Sequence, residues 1–341
     1  MPATELSISQ DPTRFVLSKT SQPIWGRLFL FEKARMSLPL PHTIHWLQFG
    51  GQRLGLMPSL GGSVAAWQRK LPQGEHQDIW RPWDGRSHDL YTLASFPLVP
   101  WSNRISKGGF THDGQRHDIA PNRIGERYPI HGDGWLQSWA LRQPQHDTME
   151  MTLESNCFAD DPYHYRALQR FVLREDGMDQ LLEVTHLGAQ PLPYGLGQHP
   201  AFLRTPLARL QASVQGVWLS GADPIPTEHT TDFPPTWDLR KSMDVNGSLI
   251  DNAYTGWNGA AHIDWPEHAL RLHMRVPELQ AGGANDGFCL LYRPPQGQHF
   301  CFEPVTHPID TFHSPEQTGL QVLQTGQTLR LQVEWRFEAL A

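Results

Sequence analysis

The last stretch of the chain most restricts what it can fold into. Leu329, Leu331, Val333, Trp335 and Phe337 alternate with Arg330, Gln332, Glu334 and Arg336, a period of two that suits a strand with one buried and one wet face. Met149, Met151 and Leu153 repeat the pattern against Glu150, Thr152 and Glu154, as do Leu270, Leu272, Met274 and Val276 against Arg271, His273 and Arg275. Antiparallel strands with one solvated face read this way. Glycine and proline, 29 of each in 341 residues, supply turns between such runs. No Gly/Ser-rich linker or 20–50-residue repeat divides the chain, so the expected fold is all-β, a large antiparallel β-sandwich with few short helices, ahead of a propeller. One helical turn is expected to begin at Ser314-Pro315-Glu316, with serine as cap and proline in the first turn. Residues 1–40 show no period beyond a short apolar cluster from Leu28 to Phe31 and read as a peripheral extension; the single domain is expected over 41–341.

Charge and cysteine content narrow the partners. A net charge of −7 without clustered lysine and arginine argues against nucleic acid. Cys157, Cys289 and Cys301 show no paired metal-ligand spacing and suit a reducing compartment. There is no signal-peptide pattern and no apolar run near the roughly 20 residues of a membrane span, so a soluble cytoplasmic protein is expected, monomer or homodimer. The thirteen tryptophans serve as core filler or as flat faces for sugar rings.

Four separated stretches carry polar groups at expected strand ends and turns. In Tyr194-Gly195-Leu196-Gly197-Gln198-His199-Pro200-Ala201-Phe202, glycines and a proline fix the direction of His199 through the backbone; alone it also reads as a loop histidine. In Phe96-Pro97-Leu98-Val99-Pro100-Trp101-Ser102-Asn103-Arg104-Ile105, Asn103 and Arg104 offer donors and acceptors suited to sugar hydroxyls, or a surface salt bridge. In Pro129-Ile130-His131-Gly132-Asp133-Gly134-Trp135, small residues flank His131 and let a ligand approach, or simply make a tight turn. In His299-Phe300-Cys301-Phe302-Glu303-Pro304, the two phenylalanines share one strand face and Glu303 lies on the other. A carboxylate and a histidine facing a polar ligand form an acid and base pair of the kind sugar ring opening needs. That chemistry requires no redox cofactor or metal, and no GxGxxG, P-loop or metal motif is found.

These motifs, in this order over residues about 43 to 338 and with Pro58-Ser59-Leu60-Gly61-Gly62 near the start, resemble the aldose 1-epimerase (galactose mutarotase) family. The resemblance implies a sandwich with an open sugar cleft and cofactor-free interconversion of the α and β anomers of a free aldohexose. It implies His199 as general acid at the ring oxygen, Glu303 as base at the anomeric hydroxyl and His131 beside the ring oxygen. Asn103, Arg104 and Asp251, in Leu249-Ile250-Asp251-Asn252-Ala253-Tyr254, would bind hydroxyls. Ala201 stands where the family more often has an aromatic, and the surroundings of His131 lack its fuller glycine pattern; both bear on which sugar fits. A hexose 6-phosphate would need added positive charge, for which Arg81, Arg104 and Arg127 are candidates. A non-catalytic carbohydrate-binding protein of the same fold is the alternative of another class. A histidine-metal barrel enzyme is a third, but His117, His164, His186 and His199 offer no His-x-His spacing.

Overall fold

The computed structural model describes residues 43–340 apart from Pro72 and residues 283–285. The expected extension, 1–40, lies outside the described residues. From Thr43 the chain forms one compact unit of two large antiparallel sheets and smaller accessory ones. The nine-stranded sheet runs in the order Met243–Asp244, Arg209–Ala212, Ala260–Trp265, Leu270–Arg275, Thr328–Ala339, Gly177–His186, His164–Arg174, Thr148–Asn156 and Ala140–Gln145. The eight-stranded sheet runs Pro226–Thr230, Gly216–Ser220, Ile250–Trp257, Gly287–Arg293, His299–Val305, Gly197–Gln198 and Pro97–Leu98, with Ala201–Leu203 also pairing with His299–Val305.

One apolar core joins the two sheets, so the fold is the expected sandwich. Leu329, Leu331, Val333 and Trp335 bury their side chains while Arg330 is exposed, as the alternation requires. Trp335 meets Trp67 and Trp80 edge to face at 6.2 and 5.5 Å, and Phe202 packs against Phe300 at 5.5 Å. Aromatic pairs in such geometries add about 1 kcal/mol each beyond the area they bury. A second apolar cluster lies on the other face of the eight-stranded sheet, where Leu98, Ala253, Leu290 and Val305 meet Leu90, Phe96, Ile130 and Trp135. That outer face carries the polar residues singled out above.

Two local expectations fail for identifiable reasons. Glu150, placed by alternation on a wet face, is buried because Arg142 and Arg170 from the flanking strands ion-pair with both its oxygens. Long arginines on neighbouring strands cover a carboxylate that periodicity would expose. The helical turn is Thr311–His313, and Ser314 ends it instead of beginning it, its hydroxyl donating to the Thr311 carbonyl at 2.9 Å. Among the described residues the one α-helix is Pro277–Gly282, and no helix is long and apolar enough to cross a membrane.

Behind the outer face lies a buried carboxylate pair. Asp133 accepts hydrogen bonds from Tyr165, Gln137 and Ser155; Asp161 accepts one from the Tyr163 amide at 2.8 Å. Burial pushes Asp133 up to about 6, and burial followed by the Asp133 charge pushes Asp161 up to about 8. A carboxyl whose folded pKa is raised is held protonated by the fold, so its contribution to stability is complete below the unfolded value near 4 and is lost as pH rises toward 8. Asp161→Asn keeps the acceptor for Tyr163 and removes the charge. The variant is expected to be more stable than the parent by about 2 kcal/mol at pH 8 and by little at pH 4. Denaturant titrations at the two pH values check this, and an equal effect at both would contradict the assignment.

Candidate active site

The His131 and Asn103 motifs, far apart in type but close in space, form one hydrogen-bonded unit. The His131 amide donates to the Asn103 carbonyl at 2.9 Å, and the Asn103 amide donates to His131 Nδ1 at 3.1 Å. Flanking bonds from Ile105 to Pro129 and from Gly134 to Val99 close the two loops together. Asn103 and His131 both adopt left-handed backbone, with φ of 56° and 62°, a conformation that costs a non-glycine residue energy unless its surroundings enforce it. Gly132, also at positive φ, lies so close to Val99 that a Cβ would run into the Val99 carbonyl. The Asn103 bond also fixes the imidazole tautomer. Because Nδ1 accepts, the ring proton sits on Nε2. Burial and then the neighbouring His199 keep this ring neutral, well below the usual histidine range.

His199 is delivered by sheet pairing. Gly197 and Gln198 pair with Leu98 and Pro97, the His199 amide donates to the Phe96 carbonyl at 3.1 Å, and Ala201 pairs with Cys301. Gly195 upstream packs face-on against His307, leaving no room for a Cβ. The same pairing brings in Glu303, which shares its strand face with Cys301 while Phe300 and Phe302 enter the sandwich core. The result is a contact of 3.2 Å between His199 Nε2 and Glu303 Oε1, with both residues buried. Phe96 stacks on the His199 ring at 4.4 Å and 19°, and Tyr91 and His131 meet it edge-on.

Electrostatics follow from this burial. Desolvation pushes His199 down to about 3 and Glu303 well above the usual carboxylate range, the nearby Asp251 raising Glu303 further and Arg104 opposing. Desolvation of both groups therefore favours their neutral forms, with one proton shared by the pair. Among the described residues, Glu303 Oε2 and the Tyr91 hydroxyl are buried without a protein hydrogen-bond partner, whereas buried polar atoms are as a rule satisfied.

Arg104 makes a bidentate pair with Glu126 at 3.0 and 3.1 Å and lies 3.7 Å from Asp251. Asp251 pairs with Tyr292 in the sheet, is half-buried, and has its carboxyl raised by burial. All six residues singled out in the sequence, His199, Glu303, His131, Asn103, Arg104 and Asp251, thus belong to one connected neighbourhood. Tyr91 and Glu126 were not anticipated. Both sit in turn-rich segments without periodicity, so only their three-dimensional contacts reveal them. Tyr91 occupies a short turn, Leu90–Thr92, capped by Asp89. Arg81 holds it by donating to the Tyr91 and Leu93 carbonyls, both at 2.7 Å, and Arg123 lies 3.8 Å over its ring.

The chain is similar to known proteins over most of its length. The family model described as aldose 1-epimerase matches residues 48–336. YphB, an uncharacterized protein of Escherichia coli, is 30% identical over 311 residues, 86% of this chain and 99% of its own. The crystal structure of an E. coli K12 protein described as a candidate aldose 1-epimerase superimposes with a TM-score of 0.79 at 28% identity, over 87% of this chain and 99% of that one. A galactose mutarotase-like protein from Clostridium acetobutylicum shares the fold with a TM-score of 0.73 at 16% identity, covering 89% of this chain and 100% of its own. With the motifs in order, their residues gathered in one neighbourhood and the family model spanning most of its length, the chain belongs to the aldose 1-epimerase family.

Proposed function

We propose that the protein is a cofactor-independent mutarotase that interconverts the α and β anomers of a free aldohexose. The observation that carries this reading is the buried His199–Glu303 contact of 3.2 Å. A proton moved from Glu303 to His199 across that contact makes an imidazolium and a carboxylate side by side. With a pyranose in the cleft, Glu303 takes the proton from the anomeric hydroxyl while His199 gives one to the ring oxygen. The bond from C1 to the ring oxygen breaks and the C1 carbonyl forms. After rotation about C1–C2 the ring oxygen attacks the other carbonyl face, His199 recovers its proton, and Glu303 returns one to the new hydroxyl. Atoms and charge balance with no other reagent.

The remaining residues support the exchange. His131, fixed as an Nε2 donor by Asn103, suits an oxygen acceptor on the sugar. Arg104, whose charge opposes the rise in the Glu303 pKa, favours the carboxylate form, and with Asn103 and Asp251 it suits binding of hydroxyls. A neutral sugar is favoured over a 6-phosphate by what the three arginines already do. Arg81 holds the Tyr91 turn, Arg104 pairs with Glu126, and Arg127 pairs with Asp223 at 3.0 Å on the surface.

Glu303→Gln and His199→Asn are each expected to slow anomer exchange by about 10^3-fold with sugar binding retained, and the double variant to lose little more, because the pair acts as one unit. Anomer-exchange NMR with α-glucose and α-galactose reads this directly; unchanged exchange in both single variants would rule the mechanism out. Arg104→Lys keeps the charge but loses the fork held by Glu126. It is expected to raise KM by about tenfold with a smaller change in kcat, as initial-rate polarimetry over a sugar series would measure.

A further inference from the structure

Cys301 has no part in the proton exchange, yet its sulfur stands beside it. A ring nitrogen of His199, Cys301 Sγ and one carboxylate oxygen of Glu303 all lie within 4.8 Å of one another. Cys301 and Glu303 share a strand face by the period of two, and sheet pairing sets Ala201 beside Cys301, so only a methyl group flanks the sulfur on that side. Among the described residues, Glu303 Oε2 has no hydrogen-bond partner, though it is buried. A tetrahedral zinc with ligand bonds of about 2.0–2.3 Å holds its donors roughly 3.3–3.8 Å apart. The His199–Glu303 pair already stands at 3.2 Å, so closing the set needs the thiol to move by about 1 Å. The donors, one imidazole, one thiol and one carboxylate, suit a borderline or soft divalent ion and not Mg2+ or Ca2+.

We propose that His199, Cys301 and Glu303 form a site for a thiophilic divalent cation, Zn2+ or Cd2+, which occupies both groups of the proton exchange and thereby blocks catalysis. Binding displaces two protons to solvent, one from the Cys301 thiol and one from the His199–Glu303 pair. Thiolate and carboxylate then neutralise the two charges of the ion, so the buried complex carries no net charge, as burial demands. Three protein ligands leave a fourth position open toward the cleft, where water completes the shell. The metal is an inhibitor here and not a cofactor, since it occupies the two groups that must exchange protons. Saturating sugar competes with it for the same space. The inhibitory half of this proposal rests on the mutarotase reading; the binding half does not.

Cobalt titration of the full-length protein separates the two. One equivalent of Co2+ is expected to give a thiolate-to-cobalt charge-transfer band that Zn2+ abolishes. Cys301→Ala and Cys301→Ser are expected to lose the band and at least about tenfold in metal affinity. Cys157→Ala, at the exposed thiol, is expected to keep it. In anomer exchange, Zn2+ is expected to slow the parent at least about tenfold, a chelator to restore it, and Cys301→Ala to keep the basal rate while losing the zinc sensitivity. Absence of the band in the parent, or its survival in both folded Cys301 variants, would overturn the site, whatever the basal activity proves to be. A band without inhibition of an active enzyme would overturn the inhibitory role alone.

Discussion

A strand can aim Glu303 into the cleft only by sending Phe302 and Phe300 into the core. That alternation on His299–Val305 is the constraint on which the rest of the site depends. The two phenylalanines lock the strand to the sandwich through Phe202, Trp257 and their neighbours, and the same lock sets the register against Ala201 and Gly197. A slip of one residue would bury the carboxylate in hydrocarbon and expose an aromatic ring. The geometry of the His199–Glu303 contact is therefore stabilised by hydrophobic packing on the opposite face of the sheet, far more than by the polar contact itself.

Burial then decides the electrical state of the pair. In water a histidine and a glutamate at this distance would be a plain ion pair, but desolvation disfavours both charges and leaves one shared proton. Asp251 reinforces the proton on Glu303, and Arg104 is the charge that opposes it and can tilt that proton back toward His199. The Asn103–His131 exchange contributes in another way. It fixes the direction and tautomer of the His131 ring through the Asn103 amide, so that Nε2 is a donor set in advance.

Much of this was legible in the sequence because it depends on short-range rules. Period-two alternation located the long outer strands, and the faces of Phe300, Phe302 and Glu303 followed from it. The ordered motifs brought His199, Glu303, His131, Asn103, Arg104 and Asp251 together as candidates, and the structure gathers them in one neighbourhood. What could not be read depends on contacts across strands and loops. Glu150 is buried only because arginines of two other strands reach it. Tyr91 and Glu126 enter the site from irregular turns held by Arg81, Arg123 and Arg104, and no local pattern announces such clamps. The closeness of Cys301 to His199 is likewise a product of register.

The site lies near one end of the eight-stranded sheet, whose last strand is the two-residue Pro97–Leu98. A sheet edge would ordinarily expose a row of unpaired amides that another chain could extend. Here proline supplies no amide hydrogen at position 97 or 100, and Gly132 bridges Val99 on the far side. The edge is too short and too poor in donors to template a further strand. The protein can thus carry its polar site at the margin of the sheet without offering that margin to aggregation.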